Sequence, residues 1–259
     1  MPSAAPVTGM EDDRIGAVAA ALCEASTGVA FTGAGLSTAS GIPSFRGEDG
    51  IWETAFDPAD FHRTRFDRDP DGFWADRVAL YDHMYAADPE PNAAHEALAD
   101  LEAAGAIETV VTQNTDGLHE TAGSTTVELH GNASRVVCER CGERSPADPA
   151  VEAARDGATP RCDCGGIYKP DVTLFGEPLP DDAFDRAQSL AYRAGVFLVA
   201  GSSVTVEPAA SLPRLAGRAG TLVVVNLEET PVDDAADHVL RADVTDVLPA
   251  IRDAVRARC

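Results

Sequence analysis

The stretch GAGLSTASGIPSFRG, residues 33–47, decides the fold, because this glycine-rich loop directly follows a short apolar run. That run, Gly28–Thr32, has the composition of a buried strand. Small residues let the loop backbone approach a phosphate group, whose oxygens the peptide N–H groups can bind. Thr38 occupies the position of the third glycine of a dinucleotide fingerprint. The loop therefore predicts a nucleotide site that differs from that of a plain Rossmann dehydrogenase.

Strand and helix patterns alternate on both sides of this loop, which predicts an α/β fold with a mostly parallel sheet. Two stretches interrupt the alternation: residues 56–88 are helical in pattern, and residues 135–169 contain four of the six cysteines. We expect these insertions to form a smaller lobe, with a cleft where the lobes meet. The predicted strands are Gly28–Thr32, Ile107–Thr112, Val196–Ala200 and Thr221–Asn226, and the predicted helices are Asp12–Ala25, Asn92–Ala104, Asp181–Ala194 and Ala209–Ala219.

The charge balance excludes one broad class of function. Acidic residues outnumber basic ones 43 to 20 in the 259-residue chain, for a formal net charge of -23. General nucleic-acid binding is disfavoured, because phosphate contacts need a basic surface. A diffusely acidic composition with Lys169 as the only lysine is typical of adaptation to molar salt, the alternative being attraction of basic peptides. No apolar run approaches the roughly 20 residues of a membrane helix, and no secretory signal is visible, so we expect a cytoplasmic protein without a membrane partner. The sequence leaves the oligomeric state open, and a monomer is the default expectation.

Four cysteines in two close pairs predict a metal site. Cys138 and Cys141 are followed, after a loop, by Cys162 and Cys164. Paired thiolates of this kind suit tetrahedral zinc, and four cysteine ligands leave no open position, so the role should be structural. Disulfides are the alternative, which a reducing cytosol disfavours. The two remaining cysteines, Cys23 and Cys259, have no partner pattern and are expected to be incidental.

Two polar clusters follow the second predicted strand. Residues 112–119, TQNTDGLH, place amides and an acid at the end of a parallel strand, where α/β folds bind ligands. Residues 128–131, ELHG, follow shortly after and contain His130. A histidine between a polar ligand loop and a zinc-binding module is a candidate base near pH 7. The alternative is a structural histidine with satisfied hydrogen bonds.

Together, these motifs resemble those of the sirtuin family of NAD-dependent protein-lysine deacylases, in its prokaryotic type. The resemblance also includes residues 169–172 (KPDV), 175–177 (FGE), 201–203 (GSS) and 225–228 (VNLE), and it spans about residues 11–250. It implies a Rossmann-like NAD-binding domain made of residues 11–55, 89–133 and 171–259. A helical insertion (residues 56–88), a zinc-binding module (residues 134–170) and a flexible N-terminal tail (residues 1–10) would complete the chain.

The resemblance also implies individual roles. His130 and Asn114 are the expected catalytic residues. The substrate peptide, bound as an extended strand, is expected to contact Thr173, Phe175, Gly176, Glu177 and Val204. The expected NAD contacts are Gly33, Ala34, Gly35, Ser37, Ile42, Phe45, Arg46, Gln113, Asn114, Asp116, Gly201, Ser202, Ser203, Asn226, Leu227, Glu228 and Val244.

The reaction that the resemblance implies begins with attack of the acyl-amide oxygen of lysine on C1′ of the ribose as nicotinamide leaves. His130 would then accept a proton from a ribose hydroxyl, and the products would be nicotinamide, free lysine and O-acetyl-ADP-ribose. The desuccinylase subgroup carries Tyr-x-x-Arg on the helical insertion, whereas Tyr81 is followed by Met84 here. We therefore expect neutral acyl groups, chiefly acetyl. Thr173 stands where valine is expected, which predicts a slightly more polar acyl tunnel.

Three alternatives remain open. A protein mono-ADP-ribosyltransferase would use the same NAD pocket, and only its product would differ. A non-catalytic NAD-sensing scaffold is expected to have lost His130 or Asn114, and both are present. A nucleic-acid-binding zinc ribbon is disfavoured by the acidity of the chain.

Overall fold

The structure, a computed structural model, describes residues 9–45 and 50–259, and it describes side chains from residue 12 onward. No helix in these ranges is both long and apolar enough to cross a membrane. The predicted tail lies mostly outside the described residues, and the first helix already begins at Gly9. The helices are α1 (Gly9–Glu24), α2 (Ile51–Thr54), α3 (Arg63–Arg68), α4 (Pro70–Tyr85), α5 (Ala93–Ala103), α6 (Leu118–Ala122), α7 (Asp148–Arg155), α8 (Asp181–Arg193), α9 (Ser211–Ala216) and α10 (Val244–Arg258). The strands are β1 (Gly28–Thr32), β2 (Thr109–Thr112), β3 (Thr126–Glu128), β4 (Gly131–Cys138), β5 (Arg144–Pro146), β6 (Tyr168–Val172), β7 (Val196–Ala200), β8 (Thr221–Val225) and β9 (His238–Leu240).

The main sheet is parallel throughout, with strand order β3-β2-β1-β7-β8-β9. From β1 the chain builds outward to β2 and β3, and it later returns to the other side of β1 with β7. The boundary between β1 and β7 is therefore the switch point of the sheet, the place where open α/β folds bind ligands. The predicted α/β class is confirmed.

Both faces of the sheet are covered, which explains why β1 is apolar at successive positions. Ala30 lies in the core that α1, α5 and α10 complete, together with Leu98 and Leu248. Phe31 points to the opposite face and packs in a second core with Leu190 of α8 and Leu212 of α9. Consecutive residues of a strand point to opposite faces, so the single run Gly28–Thr32 anchors both layers.

The predicted elements are confirmed with shifts at their ends. Strand β2 begins at Thr109 instead of Ile107, because the backbone nitrogen of Ile107 still donates to Leu101 O at the end of α5. Helix α5 begins where predicted, since the Asn92 side chain accepts a hydrogen bond from Ala94 N at 2.9 Å. The last predicted helix is shorter, Ser211–Ala216, and the short strands β3 and β9 are additions.

The two insertions form one smaller lobe, as predicted. Strands β5, β4 and β6 make an antiparallel sheet, and α7 packs against α4 of the helical insertion. Phe73 and Trp74 of α4 share a core with Val136 of β4 and Val151 of α7. The indole nitrogen of Trp74 also donates to Tyr168 O at 2.9 Å. The helical insertion and the zinc-binding module are therefore packed together.

The expectation that Cys23 and Cys259 are incidental is wrong, because they form a disulfide with their Cα atoms 6.1 Å apart. The pair joins α1 to the residue that follows α10, and these two helices pack against each other. A separation of 236 residues hides the pair from any local sequence pattern.

Candidate active site at the switch point of the sheet

A cavity of about 820 Å³ lies at the carboxyl edge of the main sheet. Gly33, Gln113, Gly201 and Asn226, which follow β1, β2, β7 and β8, all line it. The smaller lobe provides further walls. The cavity therefore occupies both the switch point and the predicted cleft between the lobes.

The glycine loop after β1 contacts the loop after β7 backbone to backbone. Gly35 N donates to Gly201 O at 2.8 Å, and a Cβ atom on Gly35 would lie only 2.9 Å from the same oxygen. Gly201 has φ of 60°, and a Cβ atom there would overlap Leu36 N. Both positions require glycine, and Gly35 remains exposed at the cavity wall. Backbone this accessible fits the phosphates of NAD.

A buried polar network supports the loop from behind. The Ser37 hydroxyl donates to Asp116 Oδ2 at 2.8 Å and accepts from Asn114 Nδ2 at 3.1 Å. The same amide nitrogen donates to Gly33 O at 3.1 Å, so the amide oxygen of Asn114 is the polar atom that it can offer to a ligand. Burial raises the pKa of Asp116, while hydrogen bonds from Leu118 N and Ser37 lower it less.

The sequence analysis gives no role to two histidines deeper in the fold, although His119 is the last residue of the motif at residues 112–119. The rings of His95 and His119 are 4.9 Å apart, and Thr32 Oγ1 lies 2.9 Å from His119 Nε2. Burial lowers the pKa of His95 to about 4 and that of His119 to about 3. Both rings are therefore neutral near pH 7, directly beneath Ser37, which lies 3.4 Å from His95 Nε2. No sequence pattern in α5 or α6 indicated that these two histidines would be buried next to each other.

His130 has the orientation that a base requires. Its Nδ1 atom lies 2.9 Å from Gln113 O, and a carbonyl can only accept, so Nδ1 carries the proton. The neutral ring then holds its lone pair on Nε2. Burial lowers the pKa of His130, while the hydrogen bond to Gln113 raises it less. His130 lines the cavity, so a neutral imidazole is available there at pH 7.

Of the residues predicted to contact the peptide, four form a continuous wall of the cavity: Thr173, Phe175, Gly176 and Glu177. Thr173 N donates to His130 O at 2.9 Å, which fixes this wall beside the candidate base. Phe175 and Gly176 follow along the cavity. The carboxylate of Glu177 is already bound within the chain, since it accepts from Leu174 N at 2.8 Å.

Most of the predicted site residues line the cavity, and their roles there stay predictions. Ser37, Ile42, Ser202 and Val204 are buried behind the lining, and Asp116 is half-buried beside Ser37. Arg46 lies outside the described residues. The lining residues are Gly33, Ala34, Gly35, Phe45, Gln113, Asn114, His130, Thr173, Phe175, Gly176, Glu177, Gly201, Ser203, Asn226, Leu227, Glu228 and Val244.

An aromatic wall was missed by the sequence analysis. The Trp52 ring centroid lies 5.8 Å from that of Phe45 and 5.4 Å from those of Phe61 and Phe175. Trp52 thus joins the glycine loop, the helical insertion and the peptide wall in one apolar surface. The only sequence signal for this aromatic wall was the apolar pair Ile51 and Trp52, which follows Gly50.

Arg77 of α4 is a second missed lining residue. Among the described residues, no acidic side chain pairs with its guanidinium, and burial lowers its pKa. Leu80, one helical turn further along α4, lines the same cavity. This part of the cavity therefore combines an apolar wall with one cationic group.

The four predicted cysteines converge in the zinc-binding module, with their Sγ atoms all within 4.8 Å of one another. The Sγ atoms of Cys138 and Cys164 are 3.5 Å apart, and those of Cys141 and Cys162 are 3.7 Å apart. Four sulfurs about 2.3 Å from a tetrahedral zinc would be about 3.8 Å apart, so the site has the right size.

The backbone around the cysteines also fits zinc. Arg140 N and Gly166 N donate to Cys138 Sγ and Cys164 Sγ, each at 3.4 Å. A Cβ atom on Gly166 would lie 2.5 Å from Cys138 Sγ, so glycine is required next to the sulfurs. All four ligands come from the protein, which makes a structural zinc the fitting occupant.

Comparison with known proteins agrees with this geometry. The Sir2 family matches residues 33–208 of the chain. A protein of Haloarcula marismortui named NAD-dependent protein deacetylase is 60% identical over 250 residues, covering 95% of this chain and 96% of that protein. The family match to residues 33–208 thus includes both the glycine loop and the cysteine cluster.

Solved structures extend the comparison to ligands. A Sir2 variant in complex with a deacetylated p53 peptide and 3'-O-acetyl-ADP-ribose has a TM-score of 0.83 and 39% identity, covering 92% of this chain and 96% of that chain. A Sir2 complex with a p53 peptide and NAD+ has a TM-score of 0.81 and 38% identity, with the same two coverages. In these solved relatives, the same fold is in complex with both a peptide and a nucleotide.

Proposed function

The chain belongs to the Sir2 family, and we propose that it removes acetyl groups from protein lysines with NAD as the co-substrate. It is an enzyme of the NAD-dependent protein deacylase kind. One observation supports this reaction most directly. His130 lines the cavity beside the glycine loop that fits a dinucleotide, and its protonated Nδ1 atom lies 2.9 Å from Gln113 O. Acetyl-lysine, NAD and water would yield lysine, nicotinamide and O-acetyl-ADP-ribose.

NAD supplies a ribose carbon from which nicotinamide can leave. The residues of the chain bind and orient it: the backbone of Ala34 and Gly35 would face the phosphates, and the loops at Gly201 and Asn226 would hold the adenosine half. Asn114 would offer its amide oxygen toward the nicotinamide end. Because an amide oxygen is a weak nucleophile, exclusion of water and exact placement of the acyl group must contribute much of the rate.

The apolar surface around Trp52 serves this exclusion of water. Trp52 stacks on Phe45 and meets Phe175 edge-on, so the acyl group would lie against aromatic carbon. His130 Nε2, as the unprotonated nitrogen, would accept the proton of a ribose hydroxyl. Phe175, Gly176, Thr173 and Val204 would border the extended peptide.

A structural zinc held by the four cysteines completes the enzyme. Metal binding by thiolates contributes directly to folding, so the zinc would stabilise the smaller lobe and with it the peptide wall. We also propose the domain boundaries given above, a cytoplasmic location, adaptation to high salt and a monomeric state. Of these, the adaptation to high salt is the one that the acidic composition supports.

Two other activities remain weaker. Mono-ADP-ribosyl transfer would use the same pocket, and an NAD-sensing scaffold would use it without chemistry. The solved relative with a deacetylated peptide and 3'-O-acetyl-ADP-ribose favours deacetylation over both. General nucleic-acid binding stays disfavoured by the net charge of -23.

The proposal is tested by measuring nicotinamide release in molar KCl with an acetyl-lysine peptide and with the same peptide unacetylated. We expect release to require the acetyl group, because the acetyl oxygen is the attacking atom. Equal release with the unacetylated peptide would contradict the proposal. His130→Ala should bind NAD with unchanged affinity, which serves as the control for folding.

A further inference from the structure

The Glu177 carboxylate ties the peptide wall to both parts of the smaller lobe. We call residues 174–177 the peptide segment. Glu177 Oε2 accepts from Leu174 N at 2.8 Å and from Lys169 Nζ at 2.9 Å. Glu177 Oε1 accepts from Arg63 Nη1 at 3.0 Å. The carboxylate thus folds the peptide segment back on itself and attaches it to two cations.

Lys169 provides the buried half of this attachment. It is the only lysine of the chain, lies on β6 and is 8% exposed. Its ammonium also donates to Val172 O at 2.7 Å, just before the peptide segment. A buried ammonium needs such partners, and removing it would leave Arg63 as the remaining cationic partner of Glu177 among the described residues.

Arg63 provides the second attachment, from α3 of the helical insertion. Its guanidinium bonds Glu177 at 3.0 Å, Glu139 at 2.5 Å and Asp67 at 2.9 Å. Glu139 is the neighbour of the zinc ligand Cys138 in sequence. Arg63 therefore links the helical insertion, the zinc-binding module and the peptide segment through one side chain.

Backbone hydrogen bonds also connect the peptide segment to the helical insertion. Arg63 N donates to Phe175 O at 2.9 Å, and Phe175 N donates to Phe61 O at 3.2 Å. One edge of the peptide segment is therefore already paired with residues 61–63, as a short parallel bridge. Leu174 N and O are both bonded to Glu177, so an added substrate strand can pair only with the remaining backbone of the segment, from Gly176 onward.

We propose that Arg63 and Lys169 are positioning residues for the protein substrate. By holding Glu177, they fix the position and direction of the peptide segment, so that its backbone at Gly176 meets the incoming strand in register. The inference rests on the proposed function, because it assumes that this edge receives the acyl-lysine peptide. It adds a role for the smaller lobe: packing of the two insertions sets affinity for the peptide, whereas the main sheet sets affinity for NAD.

The test compares Arg63→Met and Lys169→Met with wild type. The matched control is Arg65→Met, on the same helix, whose guanidinium pairs with Asp69 and Asp76 and, within the described part of the chain, forms no ion pair with the peptide segment. KM for acetyl-lysine peptide, KM for NAD and kcat are measured in molar KCl, and peptide dissociation constants are measured by fluorescence anisotropy with a labelled peptide. Circular dichroism and zinc content confirm that each variant is folded.

We expect the peptide KM and Kd to rise about tenfold in both variants, because each loses a charge-assisted hydrogen bond. KM for NAD and kcat should stay within about twofold of wild type, as should all constants of Arg65→Met. Lys169→Arg should recover most of the peptide affinity. Unchanged peptide affinity in folded variants would overturn the proposal, as would equal rises in both KM values.

Two further readouts keep the outcomes distinct. Should Lys169→Met fail to fold, Glu177→Gln removes the charge of the carboxylate without leaving a buried anion, and the same rise in peptide KM is expected. A wild-type protein without NAD-dependent deacetylation would refute the proposed function. An active wild type whose variants match it in peptide affinity would refute only the positioning role.

Discussion

Gly35 N lies 2.8 Å from Gly201 O, so the loops that follow β1 and β7 are in direct backbone contact at the switch point of the sheet. The strand order makes this contact possible, since β1 and β7 are neighbours although 163 residues lie between Thr32, the end of β1, and Val196, the start of β7. The contact leaves no room for side chains, and it leaves Gly35 exposed at the wall of the cavity. The nucleotide site is thus a consequence of topology as much as of local sequence.

The first prediction concerns Gly201. In Gly201→Ala, the new Cβ atom would overlap Leu36 N and displace the glycine loop, so NAD affinity should fall at least about tenfold. Gly105→Ala is the matched control, since Gly105 also has positive φ, 76°, but a Cβ atom there meets nothing within 4 Å. That control should lose only roughly 1–2 kcal/mol of stability. Equal NAD affinity in both variants, measured by calorimetry, would contradict the account.

The second prediction concerns His130. Replacement by alanine should lower kcat by about 10²–10⁴ while NAD binding is retained, because a general base is lost. The pKa of His130 lies below its ordinary value of 6.5, owing to burial. The neutral, active form therefore prevails at pH 7, and on acidification kcat/KM should fall at a pH lower than that of an ordinary histidine, as the pH passes through the lowered pKa. A rate that rises on acidification would be incompatible with this role.

The third prediction uses the buried histidines His95 and His119. Burial lowers their pKa values to about 4 and about 3, whereas the unfolded chain protonates them near 6.5. The unfolded state therefore binds more protons between about pH 6.5 and pH 4, so stability is present above this window and is lost as the pH falls. Each ring contributes up to about 1.4 kcal/mol per pH unit.

This dependence is measured by denaturant unfolding in molar KCl at pH 7.5 and pH 5. In His119→Gln the loss of stability between these two pH values should be smaller than in wild type. An unchanged difference would show that His119 is not the group that titrates.

The fourth prediction concerns the metal. We expect one zinc per chain, and Cys162→Ser should lose it and unfold the smaller lobe, because such sites supply much of the folding energy of small modules. Cys23→Ser is the control, since Cys23 lies in α1 and pairs with Cys259. It should keep its zinc. A zinc content near zero in wild type purified without chelator would contradict the structural role.

The fifth prediction concerns the acyl group. The sequence predicts neutral acyl groups, so kcat/KM for an acetyl-lysine peptide should exceed that for the succinyl-lysine peptide. Arg77 makes the comparison informative, because it lines the cavity with no acidic partner among residues 9–45 and 50–259. Comparable turnover of the succinyl peptide, abolished by Arg77→Met, would overturn the predicted preference.

The sequence allowed the nucleotide and zinc sites to be predicted because their residues are close in the chain. The glycine loop is one continuous stretch, and each cysteine pair spans at most four residues. Likewise, β1 and β7 were predicted with their observed bounds, since strands buried on both faces are apolar without interruption.

Features that depend on distant residues could not be predicted in this way. The Cys23–Cys259 disulfide depends on the packing of α1 against α10. Arg77 reaches the cavity only because the helical insertion packs beside the glycine loop, and the aromatic wall at Trp52 depends on its contacts with Phe61 and Phe175. The strands β3 and β9 have three residues each, too few for a pattern, and they form through pairing with β2 and β8.

The most direct test of the central claim is product analysis by mass spectrometry. Purified protein is incubated in molar KCl with an acetyl-lysine peptide, with and without NAD. The account predicts deacetylated peptide, nicotinamide and O-acetyl-ADP-ribose in equal amounts, and only when NAD is present. Deacetylation without NAD, or ADP-ribose attached to protein in place of deacetylation, would contradict it.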